Sequence, residues 1–371
     1  MDSVTQFVLG AAVQGVGMGK YQGRKALLYG GLLGTLPDLD VFIRYADPIS
    51  SMTYHRGFSH SLFVLTALAF FITWLTFKRH TNLPFSFRRL FITLTLALIT
   101  HPLIDAMTVY GTQLFWPIPS PPVVWSTVFV IDPIYTLPLI FTCLWAYWRK
   151  LDPRAIRYLF TALLFGCVYF AVGFMSRAYH EHRFESVLTQ QGIEVDDVLA
   201  TPTPFNIILW RVIAKDKQGN LYDAVSGWLD KNAPEFIRIP LNQTLKQNVI
   251  ATSPQLQRFE WFTSDWVHYE QIGSQLVASD TRMGLAGQFN FRFIVAEKHQ
   301  GEWQAVLPKA YPTIKSHLNK KVLLTFWQRI WSDDAPLPLA EWATREATNK
   351  GKAIALPLTE RHPCSSCLPC L

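Results

Sequence analysis

Three short clusters hold the residues of this chain best suited to chemistry: Pro37-Asp38-Leu39-Asp40, His55-Arg56-Gly57-Phe58-Ser59-His60 and Thr100-His101-Pro102-Leu103-Ile104-Asp105. A mixture of imidazole and carboxylate is what a borderline ion such as zinc or manganese prefers. Each cluster abuts a long apolar run, and ionisable groups at membrane depth are costly enough that they usually mark function. Together they point to a metal site at one face of a membrane, with Asp38, Asp40, His55, His60, His101 and Asp105 as candidate ligands. A serine hydrolase fits poorly, because Ser59 and Ser61 flank His60 without an assignable base and orienting carboxylate.

Spacing adds geometry. His101 and Asp105 are four residues apart and share a face on a helix, where they can chelate one ion or act as ligand and outer partner. Pro102 disfavours the α region at His101 and predicts a kink there. Asp38 and Asp40 diverge on a regular helix, so joint ligation needs an irregular turn, with one carboxylate bridging two ions and the other orienting it. His55 and His60, with Arg56-Gly57 between them, predict a loop leading into a helix from Ser61. The planar fork of Arg56 suits a phosphate. Asp132 stands before Pro133, the pattern of a helix cap.

The elements that must position these residues follow from composition. Half of the 371 residues are hydrophobic and only 16% are charged, which strains a purely soluble reading. Apolar runs over 61–77, 90–104, 133–148 and 158–176, with weaker Gly-rich runs over 3–19 and 26–37, predict five or six hydrophobic helices. Asp2 and the lack of basic residues before Lys20 argue against a cleaved leader, so the mature chain is expected to begin at or near Met1. Basic residues crowd three connections, around Lys20 to Lys25, Lys78 to Arg89 and Arg149 to Arg157, which the positive-inside rule assigns to the cytoplasm. The intervening loops then lie on the opposite face, and with them Asp38, Asp40, His55, His60, His101, Asp105 and Asp132. The same rule puts everything after Ser176 outside. The net charge of +7 is explained in part by cytoplasmic loops against anionic headgroups, so no nucleic-acid partner is required.

From Arg177 onward the composition is that of a soluble region. The alternation of Gln288-Phe289-Asn290-Phe291-Arg292-Phe293 predicts a half-buried strand, and His299-Gln300-Gly301-Glu302 a turn into Trp303 to Leu307. Asn206 to Ala214 followed by Lys217-Gln218-Gly219-Asn220 predicts a second hairpin, and 177–191 a helical linker. The expected architecture is an α-helical membrane domain over 1–176 carrying the metal site, then an extramembrane, mainly β (α+β) domain over 177–371. His180-Glu181-His182 lacks the spacing of a helical zinc-protease signature and is expected to be a solvated juncture. Cys364, Cys367 and Cys370, with His362 nearby, allow either a weak zinc motif or a disulfide. Cys143 and Cys167 fall within apolar runs, as small apolar residues do.

The segments Met1-Asp2-Ser3-Val4-Thr5-Gln6, Gly34-Thr35-Leu36-Pro37-Asp38-Leu39-Asp40, His55-Arg56-Gly57-Phe58-Ser59-His60-Ser61, His101-Pro102-Leu103-Ile104-Asp105-Ala106 and Tyr110-Gly111-Thr112-Gln113 occur in that order. In this order they resemble the YdjM-like family of bacterial inner-membrane, metal-dependent hydrolases over about the first 175 residues. Thr201-Pro202-Thr203-Pro204-Phe205-Asn206 through Trp210-Arg211 resembles a C-terminal extension found in one branch of it. That family is similar, distantly, to zinc-dependent phospholipases C and single-strand nucleases, whose ligands include an H-x-x-x-D unit like His101 to Asp105. Many members carry a histidine where this chain has Gln6. The resemblance implies phosphoester hydrolysis by water activated on one to three ions, zinc or else manganese. Arg56 and Asp40 are the expected catalytic residues, and membrane lipids or a small or lipid-linked phosphoester the expected partners. The alternative from a different class is a non-catalytic membrane scaffold with a structural or regulatory metal site and a partner-binding β domain.

Overall fold

A computed structural model describes residues 1–312, 320–334 and 337–343. It opens with α1 (Ser3–Gln22), which Asp2 caps by accepting from the amides of Val4 at 3.1 Å and Thr5 at 3.0 Å. The helix turns at Gly23 into α2 (Lys25–Thr35). These two helices approach at their glycines: a Cβ on Gly10 would sit 2.2 Å from the carbonyl oxygen of Gly30, and one on Gly34 would sit 2.4 Å from that of Gln6. Only glycine permits backbones this close.

A 3-10 helix (Leu36–Phe42), opened by Pro37, leads to α3 (Pro48–Tyr54), whose N-terminus is capped by Asp47. Then come α4 (Leu62–Arg79), α5 (Phe87–Ala106), α6 (Pro133–Trp148) and α7 (Pro153–Gln190). Three of these, α4, α5 and α7, are long and apolar enough to cross a membrane. The expected count of five or six is not reproduced by that measure. At 11 and 16 residues α2 and α6 fall short of the roughly 20 that span a bilayer, and Gly-rich α1 is mostly buried among its neighbours. In α4 the buried residues are Leu65, Ala69 and Thr73, one helical stripe, while Phe63, Phe70, Phe71 and Trp74 are exposed. A helix apolar on its outer side as well as its inner one belongs in lipid. α5 runs through Pro102 without a break in its assignment.

The C-terminal region is built on β-sheets. β1 (Val195–Pro202), β2 (Leu209–Asp216), β3 (Asn220–Gly227) and β4 (Phe236–Pro240) form an antiparallel meander. After the short helix α8 (Gln247–Ile250) and α9 (Pro254–Thr263) come β5 (Val267–Ile272) and β6 (Gln275–Asp280), and then the small hairpin of β7 (Gly284–Leu285) and β8 (Gln288–Phe289). β9 (Arg292–His299) and β10 (Glu302–Ala310) complete a second antiparallel sheet of order β10-β9-β6-β5. Helix α10 spans Lys320–Trp331. Both expected hairpins are present, and Gln300 at φ 50° with Gly301 at φ 92° supplies the left-handed pair a two-residue turn needs. The strand expected over 288–293 is interrupted at Asn290 and Phe291.

The segment Thr203 to Arg211 organises the first sheet. Asn206 Oδ1 accepts from the amides of Ile208 at 2.9 Å and Leu209 at 2.8 Å, Trp210 is fully buried, and Arg211 meets Asp223 through two bonds of 3.0 and 2.8 Å. One apolar core runs from Val8 and Tyr135 through Leu159 and Phe184 to Trp210 and Ala224. The end of α7 therefore packs against the sheet, and His180 is fully buried, with Nδ1 2.9 Å from Ser226 Oγ and its ring stacked on Trp210. This corrects the expectation of a solvated juncture there. Only His182 is exposed, because the helix continues to Gln190 and the strands cover its other face. A second core joins Phe259, Phe262, Tyr269 and Phe293 to Ile49 and Met52 of α3.

Gly10→Ala should lower the melting temperature of the detergent-purified protein by at least a few degrees, since the added methyl forces α1 and α2 apart. An unchanged melting curve would show that the helices do not pack through their glycines.

Candidate metal centre

Local structure delivers the candidate ligands from four elements. Within the 3-10 helix, Asp38 and Asp40 project in different directions, the irregular turn their spacing calls for. Asp38 faces His60 and His101, and Asp40 faces His55 and Ser59. His55 ends α3, and Arg56 follows at φ 61°, a left-handed conformation uncommon for a residue with a Cβ. Tertiary bonds hold it: its amide donates to Asp40 Oδ2 at 3.1 Å and its carbonyl accepts from the amide of Gln113 at 3.0 Å. His60 closes a short 3-10 turn before α4, and His101 and Asp105 lie on one face of α5.

Four atoms converge. His60 Nε2 and His101 Nε2 are 3.1 Å apart. Asp38 Oδ1 is 3.4 Å from the first and 3.3 Å from the second, and Asp105 Oδ2 is 3.2 Å and 3.3 Å from them. Zinc bound at about 2.0–2.1 Å by nitrogen and oxygen in a tetrahedron separates its ligand atoms by about 3.3 Å. The five distances given, 3.1 to 3.4 Å, are those between the ligand atoms of such a tetrahedron.

Hydrogen bonding fixes what the two imidazoles present to that centre. His101 Nδ1 lies 2.5 Å from the carbonyl oxygen of Gly34, which can only accept, so Nδ1 carries a proton. Ser59 Oγ donates to Asp40 Oδ2 at 2.7 Å, and with its one proton spent it accepts from His60 Nδ1 at 2.9 Å. In their neutral forms both rings then face each other with bare Nε2 lone pairs. Asp105 Oδ2, fully buried, has no hydrogen-bond partner among the described residues. Two lone pairs and a buried carboxylate oxygen turned on one point could hold a metal ion, and the donor types are those that suit zinc or manganese.

Outer partners complete the arrangement. Oδ1 of Asp105 receives Arg56 Nη2 at 3.2 Å and Gln6 Nε2 at 3.1 Å, together with the Met1 amine. Arg56 also reaches Thr108 Oγ1 at 3.3 Å and packs on the ring of Tyr110 at 4.8 Å. Nη2 and Nη1 are thus engaged by Asp105 and Thr108, while Nε has no hydrogen-bond partner among the described residues. Asp38 belongs to a second metal-capable group with Asp40 and His55. Burial works against the charge on Asp40, but hydrogen bonds from His55 and Ser59 outweigh it and hold the carboxyl below the usual carboxylate range. His55 Nδ1 donates to Asp40 Oδ1 at 2.8 Å, which leaves Nε2 as its ligand atom. The side chains of Asp38 and His55 are each 28% exposed, whereas those of His60, His101 and Asp105 are at most 1% exposed, so the centre opens on one side only.

All six candidate ligands thus gather in two overlapping groups. Asp132 stands apart as the cap of α6, accepting from the amides of Ile134 and Tyr135 and from Tyr169. The Gly34 carbonyl and the relay through Ser59 are parts of the centre that went unread in the sequence, whereas Gln6 holds the position where many members of the family that the chain resembles carry a histidine. The adjacency of Ser59 and His60 was a visible signal, whereas nothing local marks Gly34. The cysteines at 364, 367 and 370 and His362 lie outside the described residues.

No curated protein and no solved structure matches this chain. The model of the YdjM inner membrane protein family matches residues 1–180, the span that holds all seven helices through most of α7 and every residue of the centre. The helical region from residue 1 to residue 180 belongs to the YdjM inner membrane protein family.

Proposed function

We propose that this protein is a membrane-bound, metal-dependent hydrolase acting on a phosphoester, with Asp38, His60, His101 and Asp105 holding one ion and Asp38, Asp40 and His55 a second. The observation that carries the reading is the pair of bare Nε2 atoms 3.1 Å apart between two carboxylates, next to a partly open second group. An ion there would lower the pKa of a bound water towards neutrality and polarise a phosphoryl oxygen. The chain's own residues do the rest. Arg56 and Gln6 hold Asp105 so that its other oxygen faces the ligands. Ser59 and the Gly34 carbonyl fix the two imidazole tautomers. Asp40 orients His55 at the open side, where substrate enters. That opening supports catalysis over a structural site, which closes all its positions.

We also assign the C-terminal region to the periplasmic side of the inner membrane, on the strength of the basic loops. A reporter that is active only in the periplasm should be active when fused to the C-terminus, and cytoplasmic activity alone would reverse the assignment.

Detergent-purified protein should carry near-stoichiometric zinc or manganese by plasma mass spectrometry, and the His101→Ala/Asp105→Ala double variant should carry none while keeping its elution profile. A phosphodiester reporter substrate should turn over only in the metal-loaded wild type. Metal-free wild type after reconstitution would remove the hydrolase reading, and metal without turnover of any phosphoester would leave the scaffold. Ser59→Ala should keep the fold and weaken zinc about 10- to 100-fold in competition with a chromophoric chelator, the usual cost of losing an outer partner.

A further inference from the structure

Beside the second group the surface opens into a cleft of about 690 Å³ between the two halves of the chain. One wall comes from the end of the 3-10 helix, the connection after it and α3, with Asp40, Ile43, Arg44, Tyr45 and His55. The other comes from the start of β9 and the end of β10, with Phe291, Arg292, Phe293 and Tyr311. Resting on the hydrolase reading above, we propose that this cleft is the substrate site, that Arg44 binds the phosphate, and that the ligand is an amphipathic phosphoester whose apolar part lies against Ile43 and the β9 aromatics.

Charge singles out Arg44. Among the cations near the centre, Arg56 is spent on Asp105, and Arg292 lies on Glu270 Oε2 at 3.2 Å with its guanidinium over Tyr311. Arg44 is exposed, lines the cleft, and pairs with no carboxylate among the described residues. It follows Asp40 by four residues, so an anion it grips is held beside Asp40 and His55. Size and polarity argue for more than a bare phosphate, since clefts of several hundred cubic ångströms take drug-sized molecules, with apolar surface for the body and a few polar groups for orientation. The apolar wall also continues outward: Val41, Phe42 and Ile43 are 68%, 78% and 44% exposed, on the chain that links the helical hairpin to α3. Consecutive exposed apolar residues beside membrane-crossing helices are where a lipid chain meets the protein. The β9 and β10 side of the cleft thereby joins in substrate selection.

The test uses the full chain in detergent, loaded with zinc, and calorimetric binding of two probes: a short-chain phosphonate analogue of phosphatidic acid, which resists hydrolysis, and inorganic phosphate. The lipid analogue should bind, Arg44→Ala should weaken it about tenfold or more with zinc content unchanged, as expected for losing a charge-assisted contact, and Arg44→Lys should recover part of the loss. Ile43→Ser should weaken the lipid analogue and leave phosphate unaffected. Equal affinity of wild type and Arg44→Ala for the analogue, with zinc in place, overturns the role of Arg44. Equal binding of both probes, unmoved by Ile43→Ser, overturns the lipid assignment in favour of a free phosphate. Absence of zinc from the wild type overturns the metal reading instead, and is read separately from the Arg44 comparison.

Discussion

Everything about the centre depends on how the two oxygens of the fully buried Asp105 carboxylate are shared out. An unpaired carboxylate buried in apolar surroundings costs several kcal/mol and would take up a proton instead. Here its two oxygens have separate duties. Oδ1 is surrounded by three donors from two parts of the chain, Arg56 on one side and Gln6 and the Met1 amine of the N-terminal segment on the other. Oδ2 is left to the histidines and Asp38. Arg56 serves this purpose from a left-handed backbone between His55 and His60.

The helical hairpin follows from the same demand. His101 presents Nε2 only while Nδ1 is bound, and the acceptor is a main-chain carbonyl at the end of α2. A carbonyl in a helix is ordinarily consumed four residues on, but α2 gives way to a 3-10 helix just past Gly34, which frees it. Its position is set by the close glycine contacts of α1 and α2, and α1 also brings Gln6 to Asp105. Small residues along this hairpin are thus connected to a tautomer in the centre, a packing choice with a chemical outcome.

What the sequence made legible is what short-range geometry determines. His101 and Asp105 meet because four residues are one turn of α5, the divergence of Asp38 and Asp40 follows from their separation by two, and the turns at Gly219 and Gly301 follow from their residues. The direction of Arg56 was not legible, because it rests on a backbone conformation enforced by Asp40 and Gln113, residues far away in the chain. His180 misled for a related reason: charged residues lie close to it in sequence, but its neighbours in space are Trp210 and Ser226 from the first sheet and Trp228 just after β3. Of the apolar runs, those of α4, α5 and α7 are long and apolar enough to cross a membrane, while much of α1 is buried.

The second sheet is more than an appendage to this arrangement, because it is fastened to the loop that carries half of the centre. Arg258 of α9 donates to Thr53 Oγ1 at 2.7 Å and to the Thr53 carbonyl at 3.2 Å, and its guanidinium lies 3.6 Å from the ring centre of Tyr54. Ile49 and Met52, on the preceding turns of α3, are buried in the core of that sheet. His55 begins where this anchored helix ends, and Asp40 binds both His55 and Arg56. The open side of the centre is therefore held from two directions: the membrane helices fix His101 and Asp105, and the sheet fixes α3 and with it His55. Loosening either support would shift candidate ligands without touching one, because α3 is packed against the C-terminal region and α5 within the helical one.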